Sequence, residues 1–123
     1  MKRCLIIYLF LVLMLPGIYA GESRVVGYYR SWNRNEYPHT RIPYQYLSHI
    51  AHAFIWPSRD GGLEVGARFL YPELISEAHK NGVKVVISLG GWGRHENFIP
   101  MVADPALRRK FVTELTEFCK KHG

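Results

Sequence analysis

Val83-Lys84-Val85-Val86-Ile87-Ser88-Leu89-Gly90-Gly91-Trp92 is the stretch on which the fold turns. It is a β-branched, near-continuously apolar run, and a glycine pair and an aromatic residue close it. Its length suits a strand rather than a helix. Its lack of strict alternation points to a strand covered on both faces, as in a parallel sheet. Two further runs read the same way. Arg24-Val25-Val26-Gly27-Tyr28-Tyr29 is one, and Leu47 to Trp56, with Ile50, Ala51, Ala53, Phe54 and Ile55, is the other. Pro57, which lacks an N–H to give to a ladder, stops the second.

Helical spacing fills the intervals. From Pro72 to Asn81 the residues Leu74, Ile75 and Ala78 fall on one side, and Gly82 suits the position just past a helix end. A second helix starts at Asp104, a capping residue, with Pro105 at the first helical position. Leu107, Phe111, Leu115 and Cys119 follow at i+4 spacing. Glu114 and Glu117 precede Lys120, Lys121 and His122, the order the helix dipole favours, and Gly123 suits a C-cap. Residues 34–46 read as loop, with one short helical turn between Pro43 and Leu47.

Strand, loop, strand, helix, strand, helix is the order of an α/β fold with a parallel sheet and right-handed crossovers. Over three units an open layered sheet and a closed barrel look alike. A complete (β/α)₈ barrel takes about 250 residues, so at most three of its eight units are expected here. Taken as a finished product, such an open piece leaves sheet edges unpaired and is expected to aggregate or to be partly unfolded.

The N-terminus carries an address. Lys2 and Arg3 precede the apolar run Leu5 to Leu15, Pro16-Gly17 breaks it, and Ala20 is a small residue at which a signal peptidase can cut. The run is too short for a membrane anchor, which needs roughly 17–25 apolar residues. Residues 1–20 are therefore expected to be a cleaved signal peptide, and residues 21–123 a secreted, extracellular chain with no membrane attachment. Cleavage lowers the net charge from +6 to +4. The basic residues are scattered, and Arg108-Arg109-Lys110 reads as the wet face of a helix, so no nucleic-acid partner is expected. Cys119 alone remains after cleavage, read as a buried thiol or as half of a bridge to sequence beyond Gly123. His49 and His52, three apart on a strand, point to opposite faces and cannot share a metal. No His-Glu-x-x-His or Cys-x-x-Cys is present, and Gly90 to Gly93 matches neither phosphate-binding glycine pattern. No metal and no cofactor are expected.

In β/α folds of the barrel type, function gathers at the C-terminal ends of strands. Tyr28, Tyr29, Arg30 and Trp32 lie there after the first strand, and Phe54 and Trp56 at the end of the second. Ser88, Gly90, Gly91, Trp92, Arg94, His95 and Glu96 follow the third. Aromatic residues gathered on one rim suit a ligand with flat apolar faces and polar edges, as a pyranose has. Phe54 serves equally well as ordinary core, whereas Trp32 and Trp92, set in loops beyond strand ends, favour an exposed binding role.

Val26-Gly27-Tyr28-Tyr29 with Trp32, His52-Ala53-Phe54, and Ser88-Leu89-Gly90-Gly91-Trp92 together resemble the first three strands of glycoside hydrolase family 18, the chitinase and chitinase-like proteins. The resemblance spans essentially all of residues 21–123, and Ser-x-Gly-Gly-Trp is its most specific element. It implies a (β/α)₈ barrel of which the first three units are present, acting as a monomer on chitin or other β-1,4-linked N-acetylglucosamine oligosaccharides. It also implies substrate-assisted retaining hydrolysis, an exception to the two-carboxylate scheme. There the substrate's acetamido oxygen attacks the anomeric carbon while a glutamic acid protonates the leaving oxygen. Carried over by position, Tyr28 lines the floor of the cleavage subsite and Phe54 flanks it. Trp32 and Trp92 stack sugars on either side, and Ser88 hydrogen-bonds near the acidic cluster. Gly90 and Gly91 keep backbone close to the sugar and turn the chain. The family's acidic signature, Asp-x-x-Asp-x-Asp-x-Glu, belongs on the fourth strand. The sequence holds two aspartates, Asp60 and Asp104, far apart, so the signature is not in it. Glu96 is the carboxylate nearest the third strand's end and reads as a solvated loop residue. No catalytic residue is expected in this chain. Hydrolysis belongs to the full-length protein if its fourth strand ends in Glu, and lectin-like chitin binding if it does not.

Overall fold

The central strand decides how the rest is arranged. In the computed structural model, which describes residues 23–123, β2 (His49–Pro57) is the longest strand and the most deeply buried. β1 (Val26–Arg30) runs parallel to it on one side, in register from Val26 opposite His49 to Arg30 opposite Ala53. β4 (Lys84–Leu89) runs parallel on the other, from Lys84 opposite His49 to Ser88 opposite Ala53. β3 (Leu63–Val65) returns antiparallel beside the last residues of β2, with Trp56 opposite Glu64. The proposed signal peptide lies outside the described residues.

Two of the helices form where the sequence placed their signals. α1 (Pro72–Lys80) has Pro72 in its first turn and buries Leu74 and Ala78, one turn apart on the same face. Gly82 follows it with φ +71°, a conformation a Cβ would oppose. α2 (Phe98–Ala103) is short and anchored by buried Met101. α3 (Pro105–His122) begins at Asp104, whose carboxylate accepts from the N–H groups of Ala106 at 2.7 Å and Leu107 at 3.4 Å. Phe111 is its buried residue.

One layer of core fills the space between the sheet and α1: Tyr29, Ile42, Tyr44, Ile50, Leu74, Ala78 and Val83. The two tyrosines keep their hydroxyls paired while their rings are buried. Tyr29 donates to the Tyr37 carbonyl at 2.8 Å and Tyr44 to the His39 carbonyl at 3.0 Å. Burial pushes both phenols up to about 12, so both remain neutral donors. On the same sheet face His52 is buried, stacked on Phe69 with ring centroids 4.3 Å apart. Burial lowers its imidazole to about 4.

Four expectations need correction. The strands are not all covered on both faces: β2 is, but Val26, Tyr28, Val86 and Leu89 of its neighbours are exposed. Residues 34–46 hold two short 3₁₀ turns, His39–Arg41 and Tyr44–Tyr46, where one was expected, and a third, Ser31–Asn33, precedes them. β3 and α2 were not foreseen, since three and six residues are too few to show a period. Cys119 is exposed, which overturns the buried-thiol reading but not that of a bridge to sequence beyond Gly123; the buried stripe of α3 centres on Phe111 and turns away before the helix ends.

Candidate functional site

The C-terminal ends of β1, β2 and β4 lie side by side, and the loops after them carry the aromatic residues. Trp32 sits in the 3₁₀ turn directly after β1, anchored by buried Ser31. Its ring centroid is 5.8 Å from that of Phe54, with the planes 32° apart. Phe54 owes its position to an irregularity. Ala53 pairs with Ser88 and Ile55 with Leu89, so Phe54 is an extra residue in β2 against β4. Bulges of this kind re-aim a side chain at a strand end. The Ala53–Phe54 peptide is cis. Trp56 continues the row, 5.8 Å from Phe54.

The glycine pair serves that row. Gly90 is buried with φ +92°, and its N–H donates to the Ile55 carbonyl at 2.9 Å. Gly91 has φ +110°, and a Cβ there would stand 2.9 Å from the Phe54 ring. Side-chain volume and backbone conformation therefore both require glycine at 91, for a reason internal to the protein: it lets the loop lie against Phe54. Beyond it, Trp92 is completely exposed.

Ser88 and Tyr28 occupy the sheet face rather than the rim. Side chains alternate along a strand, so Arg30, Ala53 and Ser88 form one cross-strand row and Tyr28, Ala51 and Val86 the row below it. Tyr28 is exposed and Ser88 half-buried. The structure thus brings Trp32, Phe54, Gly90 and Gly91 together, sets Ser88 and Tyr28 on the adjoining face, and leaves Trp92 projecting on its own.

Three neighbours complete the rim. The Arg94 guanidinium lies 4.5 Å from the centroid of the Trp56 ring and pairs with the carboxylate of Glu64. Asn97 donates its side-chain N–H to the Pro57 carbonyl at 3.1 Å. Among the described residues the buried indole N–H of Trp56 has no hydrogen-bond partner. Sequence position puts Trp56 and Arg94 on the rim but cannot join them to Glu64, which lies 30 residues from Arg94 on a strand too short to read. Glu96 is exposed, as its loop position suggested. In the turn between β2 and β3, the Lys110 ammonium 2.5 Å from Asp60 and the Ser58 hydroxyl hold the Asp60 carboxyl well below the usual carboxylate range. That is the wrong direction for a general acid, which needs a raised pKa.

Known proteins resemble this chain in sequence and fold. The family model for glycosyl hydrolases family 18 matches residues 24–123. A chitinase-like effector of Moniliophthora roreri is 32% identical over 106 residues, 84% of this chain and 26% of the relative. Its counterpart in Moniliophthora perniciosa is 30% identical over 78% of this chain and 23% of the relative. Among solved structures, a chitinase from Bacteroides thetaiotaomicron superposes with a TM-score of 0.72 at 28% identity, covering 83% of this chain and 33% of that one. A chitinase from Rhizomucor miehei gives 0.70 at 26% identity, over 81% and 30%. The parallel sheet with helices on its flank, matched in this way, has a fold of the glycosyl hydrolase family type. The chain belongs to glycoside hydrolase family 18. It spans about a quarter of the length of the two effector relatives.

Proposed function

We propose that this chain forms a sugar-binding wall for chitin or N-acetylglucosamine oligosaccharides, in a secreted chitinase-like protein whose full-length form has the family barrel. The observation that carries the reading is the rim itself. Trp32, Phe54 and exposed Trp92 stand at adjacent strand ends, with Tyr28 and Ser88 on the face below. Exposed indoles offer flat apolar faces to the C–H faces of pyranose rings, and nothing in the core needs Trp92. Solved relatives of the same fold include a Cycas revoluta chitinase in complex with an N-acetylglucosamine tetramer, which supports a carbohydrate ligand.

Within the whole protein the reaction proposed is retaining hydrolysis assisted by the substrate's acetamido group. This chain supplies to it stacking and floor contacts and no acid. Lectin-like binding without hydrolysis is the second reading. It is favoured by similarity to proteins named chitinase-like effectors.

Retention on chitin beads tests the wall. The mature chain is expected to be retained and Trp92→Ala to elute at least tenfold more readily, the scale of an interface tryptophan. Its melting temperature should stay unchanged, because the side chain is fully exposed. Equal retention of both proteins would refute the assignment.

A further inference from the structure

Arg94 lies in the loop between β4 and α2, yet both of its partners belong to other elements. Its guanidinium is over Trp56 at the end of β2, 4.5 Å from the ring centroid. Its ion-pair partner Glu64 is on β3, directly opposite Trp56 in the antiparallel ladder. Three residues on, Asn97 ties the same loop to the Pro57 carbonyl at 3.1 Å. The segment these contacts hold is a conformationally permissive one. Gly90, Gly91 and Gly93 all have positive φ, and among the described residues Gly93 has no neighbour where a Cβ would stand. Trp92 lies inside that segment and is completely exposed. Its position therefore depends on where the loop is tied.

We propose that Arg94 is a positioning residue: with Glu64 and Trp56 it latches the loop of residues 90–97 onto the β2–β3 hairpin and so fixes the projecting Trp92 as a stacking platform at the end of β4. The inference rests on the reading of the rim as a sugar-binding wall. Arg94 acts through Trp92 and does not itself touch the sugar. A planar fork suits the two partners, since it stacks on the indole while its edge meets the carboxylate. The latch is weak by design of its setting, because an ion pair this exposed and one cation–π contact together hold the loop by roughly a factor of ten.

Two measurements test it. Amide exchange of the sugar-free protein reads the latch alone. Arg94→Gln should speed exchange in residues 90–97 by about tenfold while β2 and α1 are unaffected; Glu64→Gln, which leaves the contact with Trp56, should speed it by less, about threefold, and Arg94→Lys should fall between the unaltered protein and Arg94→Gln. Calorimetric titration with an N-acetylglucosamine tetramer reads the consequence. Arg94→Gln should weaken binding severalfold, and the same substitution made on a Trp92→Ala background should weaken it no further. Unchanged loop exchange in Arg94→Gln would overturn the latch. An undiminished loss on the Trp92→Ala background would also overturn it, by making Arg94 a direct sugar contact. Failure of the unaltered chain to bind the tetramer would instead remove the sugar-binding reading, with loop exchange still deciding whether the latch exists.

Discussion

Gly91 shows how a single residue can be fixed twice over. Its φ of +110° is strained for any residue with a Cβ, and that Cβ would also meet the Phe54 ring at 2.9 Å. Gly93, two residues on, shares the positive φ but faces open space. Gly93→Ala should therefore cost only the backbone term, about 1–2 kcal/mol. Gly91→Ala should cost more and should also move Phe54. Thermal unfolding gives the first comparison, and near-ultraviolet circular dichroism, sensitive to the Trp32–Phe54–Trp56 row, gives the second. Equal losses with unchanged aromatic spectra would contradict the packing role. Much of this site was legible residue by residue, because glycines and aromatics after an apolar run announce a strand end. The pairing of Arg94 with Glu64 was not, since it depends on β3, whose three residues carry no pattern.

At the scale of elements, His52 makes β2 sensitive to acid. The imidazole is buried against Phe69 and Tyr29 and held neutral, lowered from 6.5 to about 4 by burial. Below pH 6.5 the unfolded chain takes up a proton that the fold refuses. Stability from this group is therefore whole above 6.5, falls as the pH drops toward 4, and levels off below. The loss is about 3 kcal/mol at 1.36 kcal/mol per pKa unit. Urea unfolding at pH 7 and pH 4.5 should show it, and His52→Phe should flatten the difference. A slope unchanged in the variant would place the acid sensitivity elsewhere. The start of α3 offers a second test. Asp104→Ala leaves the N–H groups of Ala106 and Leu107 without their acceptor, and should cost about 1 kcal/mol in the same assay. That cap, Pro105 and Gly82 could all be read in advance, as punctuation chemistry is local. The covering of β1 and β4 could not. An apolar run reports what a strand can bury, whereas exposure depends on which neighbours are present.

For the whole molecule, the parallel strands β1, β2 and β4, the helices on one flank and the family 18 match over residues 24–123 agree on the frame. The frame brings the C-terminal strand ends together, and there the sequence placed aromatic residues and glycines. What the molecule does with that rim is most directly settled by titrating the mature chain with an N-acetylglucosamine tetramer while following tryptophan fluorescence. Trp32 and Trp92 are both exposed and should report a stacked sugar. The account predicts a saturable change, much reduced in Trp92→Ala and weaker with a glucose tetramer, which lacks the acetamido groups. No change with the N-acetylglucosamine tetramer, in protein whose amide exchange shows β2 and α1 protected, would contradict it.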